Sequence, residues 1–117
     1  MGQLLMAKFK QGDIVLIPYP YTDLSNTKKR PVVVISKDSI NKQNFIVSKI
    51  TSVIRNDQFT FPIKDSDTDT KLRFKSEVRT NEVFTVHKPL IIRKLTSFEK
   101  EPLKLLSEKI KENISVS

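Results

Sequence analysis

A short cationic run meets a proline and then an unbroken apolar stretch in the first third of this chain. The run is Lys28, Lys29 and Arg30, and Pro31 separates it from the segment 32–35, which is valine and isoleucine only. Proline fixes its own φ and biases the preceding residue toward extended backbone, while β-branched residues favour a pleated, buried strand. The sequence therefore predicts a strand over residues 31–36 with Arg30 at the rim of a sheet, where a guanidinium can reach a phosphodiester.

Further short strands are indicated on both sides of this segment. Runs of apolar and β-branched residues bounded by turn residues or prolines occupy positions 13–17, 45–50, 59–63, 76–80, 83–86 and 90–95. Pro62 cannot donate to a ladder and would place its strand at a sheet edge. Strands this short and this numerous usually close, or nearly close, into a barrel.

The hydrophobic period changes near the C-terminus. Leu103, Leu106, Ile110 and Ile114 fall on one helical face, and Pro102 is tolerated only in the first turn, so a helix should begin within 99–102. We expect one mainly β (α+β) domain over residues 1–117, a small and mostly antiparallel barrel with a C-terminal α-helix covering one face of the sheet.

Composition narrows the chemistry. The 117 residues include 21 Lys+Arg against 13 Asp+Glu, a net charge of +8, which favours an anionic partner, nucleic acid before a membrane surface, or merely a soluble basic exterior. The absence of cysteine excludes thiol nucleophiles and zinc–thiolate sites, and one histidine, His87, excludes a histidine acid–base pair within the chain. No stretch has the length of a membrane span or the pattern of a secretory signal, so we expect a cytoplasmic protein.

An acidic run invites a metal-site interpretation that its continuation does not support. Asp65, Asp67 and Asp69 alternate as at the start of a calcium loop, but Thr70 stands where that loop needs glycine and Ser76 where it needs glutamate. We expect an exposed acidic loop over 65–70, no metal site and no cofactor.

A metal-independent attack on RNA needs few protein groups. The 2′-hydroxyl is an internal nucleophile, so the protein must align it and neutralise charge on the phosphate oxygens. Arg30 offers a permanent charge and fixed donors, and Thr51 offers a hydroxyl that would lie near Arg30 if the second and third strands pair. Tyr19 and Tyr21 can stack on bases. Taken alone, Thr51 is typical of an ordinary strand-end threonine, and only its expected position beside Arg30 favours a phosphate contact. The tyrosines are also compatible with packing in the core or in a loop.

Three segments together resemble the PemK/MazF family of toxin–antitoxin ribonucleases. They are GDIVLIPYPYTD at 12–23, KRPVVVIS at 29–36 and ITS at 50–52, and the resemblance extends over roughly 9–113. It implies an SH3-like β barrel, usually a homodimer, that cleaves single-stranded RNA without metal and leaves 2′,3′-cyclic phosphate and 5′-hydroxyl ends. It also implies that Arg30 is the acid/base and charge stabiliser and that Thr51 holds the phosphate.

The resemblance further implies an RNA-binding surface and a protein partner. We expect RNA contacts from Lys28, Lys29, Tyr19, Tyr21, Ser52 and Ser76. The loop 18–29 would border the substrate groove and respond to a cognate antitoxin. Two alternatives remain open: a non-enzymatic toxin of the same fold that binds DNA gyrase, and a non-catalytic RNA-binding barrel.

Overall fold

Six antiparallel strands form one curled sheet, a half-barrel, in this computed structural model, which describes residues 8–19 and 28–117. The elements are β1 (Asp13–Tyr19), β2 (Lys28–Val34), β3 (Asn44–Thr51), β4 (Thr60–Ile63), β5 (Ser76–His87), β6 (Arg93–Ser97) and the helix α1 (Lys100–Glu112). The strand order is β4-β5-β3-β2-β1-β6, and every pair is antiparallel. The predicted mainly β fold with a C-terminal helix is confirmed, and β4, which contains Pro62, lies at a sheet edge as predicted.

The acidic segment 65–70 joins the two edges of the sheet. A 3₁₀ turn at Asp65–Asp67 leads into Thr68, which forms an isolated antiparallel bridge with Phe98 just after β6. The Asp69 N–H donates to the Ser97 carbonyl, and the Glu99 N–H donates to the Asp67 carbonyl, each at 2.8 Å. The expectation of a plain exposed loop was therefore wrong for Thr68, which is buried and helps to curl the sheet.

Both faces of the sheet are covered by apolar side chains. Alternation along β2 sends Val32 and Val34 into one cluster and Val33 into the other. The second cluster receives the fully buried Leu106 of α1, so the helix covers one face, as predicted. Position 12 favours glycine for two reasons. Its φ is +94°, and Leu103 of the helix lies so close that a Cβ on residue 12 would be 2.9 Å from Leu103 Cδ2.

The boundaries of β2 and β5 differ from the sequence-based expectations. β2 begins at Lys28, because β1 supplies partners as far back as the Tyr19–Lys28 pair, so Arg30 lies within the strand. The two predicted strands at 76–80 and 83–86 are one strand, β5, interrupted by a bulge where the partners of β3 jump from Val83 to Arg79.

The predicted strand at 90–95 begins too early. Residues Lys88–Leu90 form a 3₁₀ turn with Pro89 near its start, and the Ile91 N–H donates to the Lys88 carbonyl at 3.0 Å. Proline favours such a turn and opposes continuation of the ladder, so β6 starts only at Arg93.

Candidate functional site

Arg30 projects from a part of β2 that extends past its pairing with β3. The ladder between these strands ends at the Val32–Lys49 pair, and continuing its register places Arg30 opposite Thr51. On the other side of β2, Ile17 of β1 pairs with Arg30. The backbone of Arg30 is thus held on one side, while the half-buried side chain stands beside the end of β3.

A cavity of about 480 Å³ opens at this point of the sheet. Five of the predicted site residues line it, namely Lys29, Arg30, Thr51, Ser52 and Ser76. The other lining residues are Leu16, Pro31, Ile50, Lys71, Leu72, Arg73, Phe74, Arg93, Leu95 and Thr96. The structure therefore brings together side chains from β2, β3, β6 and the segment before β5.

The charge of this cavity has one sign. Five cationic residues line it (Lys29, Arg30, Lys71, Arg73 and Arg93), and no lining residue among those described is acidic. Within the described ranges, no salt bridge involves any of the five. A concave surface lined by unpaired charge of one sign focuses its field and attracts a polyanion.

The hydroxyl groups of the cavity are oriented by local hydrogen bonds. The Thr51 hydroxyl accepts the N–H of Val53 at 3.0 Å. That bond uses an oxygen lone pair and not the hydroxyl proton, so Thr51 can still donate to a phosphate oxygen. The Ser76 hydroxyl instead donates to the Phe74 carbonyl at 2.8 Å, which fixes the chain where β5 begins.

The remaining predicted residues fall outside this cavity or outside the described chain. Lys28 is exposed and pairs with Tyr19 across β1 and β2, but it is not among the lining residues. The side chain of Tyr19 and the whole of Tyr21 lie outside the described residues.

Sequence reasoning missed four cationic and aromatic residues that line the same cavity as Arg30. Lys71, Arg73 and Phe74 come from the segment 71–75, and Arg93 opens β6. A signal was present in the sequence KLRFK at 71–75, where basic residues surround an aromatic ring.

A buried ion network lies directly behind Thr51. Glu77, which is fully buried, faces Thr51 in the β3–β5 ladder, and Arg79 is only 4% exposed. Arg79 Nη1 donates to Glu77 Oε2 at 2.7 Å and to Asp57 Oδ1 at 2.9 Å, and its Nη2 donates to Asp57 Oδ2 at 2.9 Å. Such a charge-assisted network satisfies most of the buried polar atoms that would otherwise be costly.

The same network anchors the segment that follows Thr51. Glu77 Oε1 accepts the backbone N–H groups of Arg55 and Asn56 at 3.2 and 3.4 Å, and Oε2 accepts the Thr60 hydroxyl at 2.9 Å. Asn56 has φ 51°, a left-handed conformation that asparagine tolerates and that this anchoring holds in place. The turn beside the cavity therefore rests on a buried carboxylate.

The network perturbs the ionisation of its three members. Hydrogen bonds from Arg79 lead the causes that lower the pKa of Asp57 from 3.8 to about 2. Burial alone would raise the pKa of Glu77, but the bonds from Arg79, Thr60 and two backbone N–H groups bring it below its ordinary value. The hydrogen bond to Asp57 is the main reason why the pKa of Arg79 is raised. All three groups are held in their charged forms.

Residues 8–19 and 28–117 contain neither a cluster of metal ligands nor a membrane-spanning helix. Nowhere in these ranges do three His, Asp or Glu side chains come close enough to share a metal ion. The helices of the same ranges include none with the length and apolarity needed to cross a bilayer.

Comparison with known proteins places the fold among bacterial toxins. The family model for the PemK-like, MazF-like toxin of type II toxin–antitoxin systems matches residues 10–114. A MazE–MazF complex from Deinococcus radiodurans is similar with a TM-score of 0.76 at 15% identity, covering 93% of this chain and 97% of that chain. MazF alone from the same organism gives 0.70 at 14% identity, covering 92% and 96%.

A third solved structure extends the likeness to another group of bacteria. An endoribonuclease in complex with its cognate antitoxin from a mycobacterial species gives a TM-score of 0.69 at 11% identity, covering 93% of this chain and 95% of that chain. No curated protein sequence matched. At these identities the solved structures show a shared fold, and the family model spans nearly the whole chain. The chain therefore belongs to the PemK-like, MazF-like toxin family of type II toxin–antitoxin systems.

Proposed function

We propose that this chain is a sequence-selective endoribonuclease that cleaves single-stranded RNA without a metal ion and is inhibited by a cognate antitoxin in the cytoplasm. The observation that carries the proposal is the convergence of Arg30 and Thr51 at one cavity lined by five cations, in a member of a toxin family. Two kinds of relative add support, since one solved neighbour is an endoribonuclease with its cognate antitoxin and another is a MazE–MazF complex.

The proposed reaction is an internal transesterification. The 2′-oxygen forms a bond to phosphorus as the bond from phosphorus to the 5′-oxygen breaks. The 2′-hydroxyl gives its proton to a water molecule, and the departing 5′-oxygen takes a proton from the Arg30 guanidinium, which solvent then reprotonates. The products are a 2′,3′-cyclic phosphate and a 5′-hydroxyl end, and no external nucleophile is consumed.

Arg30 and Thr51 contact different oxygens of the reacting phosphate in this proposal. The Arg30 guanidinium neutralises the charge that grows on the non-bridging oxygens, and one of its N–H groups faces the departing 5′-oxygen as proton donor. The Thr51 hydroxyl donates to another oxygen of the same phosphate, oriented by the N–H of Val53. The Thr51 hydroxyl and the backbone of Arg30 are held in place before substrate binds, which reduces the reorganisation needed in the transition state.

The other predicted residues bind the rest of the RNA in this proposal. Lys29 and Ser52 line the cavity and contact flanking phosphates, and Lys28 extends the positive surface along β2. Ser76 acts through the Phe74 carbonyl that it holds. Tyr19 and Tyr21 are proposed to stack on bases of the RNA.

The antitoxin and a second copy of the chain are the proposed protein partners. An acidic disordered segment would complement the five cavity cations and exclude RNA by occupying the same surface. A homodimer would cover apolar strand edges, which otherwise promote uncontrolled pairing. Sedimentation that shows only monomer at micromolar concentration would contradict the dimer.

The test is cleavage of mixed single-stranded RNA by the purified full chain in EDTA, with mapping of 5′-hydroxyl ends. Arg30→Ala should reduce the cleavage rate by about 100-fold or more, the usual cost of removing a transition-state charge donor. Lys104→Ala removes one positive charge from an exposed position on α1 and should leave the rate unchanged.

The outcomes separate the proposal from its alternatives. Cleavage that survives Arg30→Ala would refute the assigned chemistry. Salt-sensitive RNA binding without scission would favour the RNA-binding barrel, and intact RNA together with capture of DNA gyrase would favour the non-enzymatic toxin.

A further inference from the structure

We propose that Phe74, backed by Arg73, forms a stacking subsite for one nucleobase beside the scissile phosphate. The proposal rests on the proposed function and assigns a recognition role to a segment that the Arg30–Thr51 chemistry does not use. The first observation is the solvent exposure of the phenylalanine side chains. All seven phenylalanines lie in the described ranges, and Phe74 is the one that is exposed, at 63%. The other six are buried or half-buried. Phe74 also lines the cavity that contains Arg30 and Thr51, so its exposed ring is accessible to a ligand bound there.

The backbone and the ring of Phe74 each have one contact that positions them. The buried Ser76 hydroxyl donates to the Phe74 carbonyl at 2.8 Å, so the backbone of Phe74 is tied to the first residue of β5. The Arg73 guanidinium carbon lies over the ring, 5.4 Å from its centroid. A cation over one face of an aromatic ring is attracted by the ring electrons, and guanidinium planes themselves also stack on bases.

The surroundings of the ring suit a nucleotide rather than an apolar ligand. Arg73 and its neighbour Lys71 line the same cavity as Arg30 and Thr51, and Arg93 completes the positive lining. A phosphate bound at Arg30 and Thr51 would thus share one cavity of about 480 Å³ with an aromatic platform and four further cations. An aromatic side chain combined with a positive groove is how proteins hold single-stranded nucleic acid.

Stacking predicts a specific kinetic signature. Every base has an aromatic face, so Phe74 should contribute affinity with little dependence on base identity. Removing it should weaken RNA binding by a factor between about 5 and 150, the range for loss of one stacked base. The bonds to the reacting phosphate remain, so KM should rise while kcat is largely kept.

The experiment uses the full chain and short single-stranded RNAs that carry 2-aminopurine at successive positions. Riboses that are 2′-O-methylated block the internal attack, so binding can be measured without cleavage. The fluorescence of 2-aminopurine is quenched by stacking. At one position quenching should depend on Phe74, being lost in Phe74→Ala and kept in Phe74→Trp.

A matched control is available on α1. Leu105 is 64% exposed, and Leu105→Ala removes a comparable apolar group far from the cavity. This variant should match the unmodified chain in RNA affinity, quenching and KM. Thermal unfolding of Phe74→Ala should also match that of the unmodified chain, because the ring is exposed.

The results for the subsite and for the ribonuclease proposal are separable. Cleavage of unmodified RNA with equal KM and equal quenching for Phe74→Ala and Leu105→Ala would overturn the subsite and leave the ribonuclease standing. Quenching that depends on Phe74 in a chain that never cleaves RNA would keep the subsite and overturn the ribonuclease.

Discussion

Neutralising the buried carboxylate of Glu77 should cause one of the largest losses of unfolding free energy that a single substitution can produce in this protein. Glu77→Gln keeps the shape of the side chain and one oxygen for the N–H groups of Arg55 and Asn56. It replaces the other oxygen with an amide NH₂ that faces two donors, the Arg79 guanidinium at 2.7 Å and the Thr60 hydroxyl at 2.9 Å. The substitution therefore removes one charge-assisted bond and leaves the buried cation with less compensation.

The size of the effect follows from the remaining partners of Arg79. Removing one member of a buried ion pair costs about 3–5 kcal/mol when the other charge is left alone. Arg79 keeps both of its bonds to Asp57 at 2.9 Å, so we expect the lower end, about 3 kcal/mol. That is a large part of the roughly 6–17 kcal/mol that a chain of this length has in total.

Urea unfolding measures this loss directly, and Glu82→Gln provides the matched control. Glu82 Oε2 lies 3.7 Å from the same guanidinium, but its side chain is 38% exposed. Its neutralisation should cost less than about 1 kcal/mol, as for other solvent-screened pairs. The slope of unfolding free energy against urea should be the same in both variants, since neither changes the folded surface.

A double variant tests the cause of the effect. Glu77→Gln leaves the buried Arg79 cation without full compensation, and adding Arg79→Met removes that cation. The double variant should therefore lose less unfolding free energy than the sum of the two single variants. Additive losses, or equal losses for Glu77→Gln and Glu82→Gln, would refute the view that an uncompensated buried charge sets the cost.

Three further predictions concern pH, the phosphate site and the approach of the helix. The pKa of Asp57 is lowered to about 2, so its contribution to stability is complete above its unfolded value of 3.8 and disappears as the pH falls through about 2. Asp57→Asn should therefore flatten the decline in unfolding free energy across that interval, measured by urea titration at several pH values. Thr51→Val should lower RNA cleavage by about 100-fold while Thr51→Ser retains most of it, a contrast that initial rates will show. Gly12→Ala should destabilise the fold by about 1–2 kcal/mol in thermal unfolding, because φ is +94° and the new Cβ would lie 2.9 Å from Leu103 Cδ2.

The part of the site built from β2 and β3 was predictable because its signals are local. Pro31 and the β-branched residues after it specify a strand, and antiparallel pairing with the next strand brings Thr51 to Arg30. The helix was predictable for a similar reason, since its apolar period and Pro102 both mark its start.

The part of the site built from the segment 71–75 was not predictable, because it depends on the curl of the whole sheet. Lys71 and Arg73 reach the cavity of Arg30 from a segment that follows the edge strand β4. Their approach follows the bridge between Thr68 and Phe98 that draws the two sheet edges together. No local pattern encodes such a bridge, and the acidic run that contains Thr68 indicated an exposed loop.

The buried network was missed because alternation fails in β5. Residues 76–80 are all buried, charged and apolar alike, since both faces of this part of the strand are covered. Under a simple alternating pattern, Glu77 and Arg79 would occupy the solvent face beside a buried Val78. The pairing of Glu77 with Arg79 could not be predicted from the strand alone, because the buried network also needs Asp57, which comes from a distant turn.

The two halves of the cavity therefore differ in how they are held, and this difference matches their proposed roles. Thr51 sits between a paired strand and a turn whose backbone Glu77 holds through the N–H groups of Arg55 and Asn56, so the proposed phosphate-binding hydroxyl is held in position. The backbone of Phe74 is tied to the sheet through one serine hydroxyl, and its ring is 63% exposed beside the Arg73 guanidinium. Rigid positioning is what transition-state stabilisation demands, whereas stacking tolerates variation in the base. Changes around Glu77 should thus lower kcat through Thr51, and changes around Phe74 should raise KM.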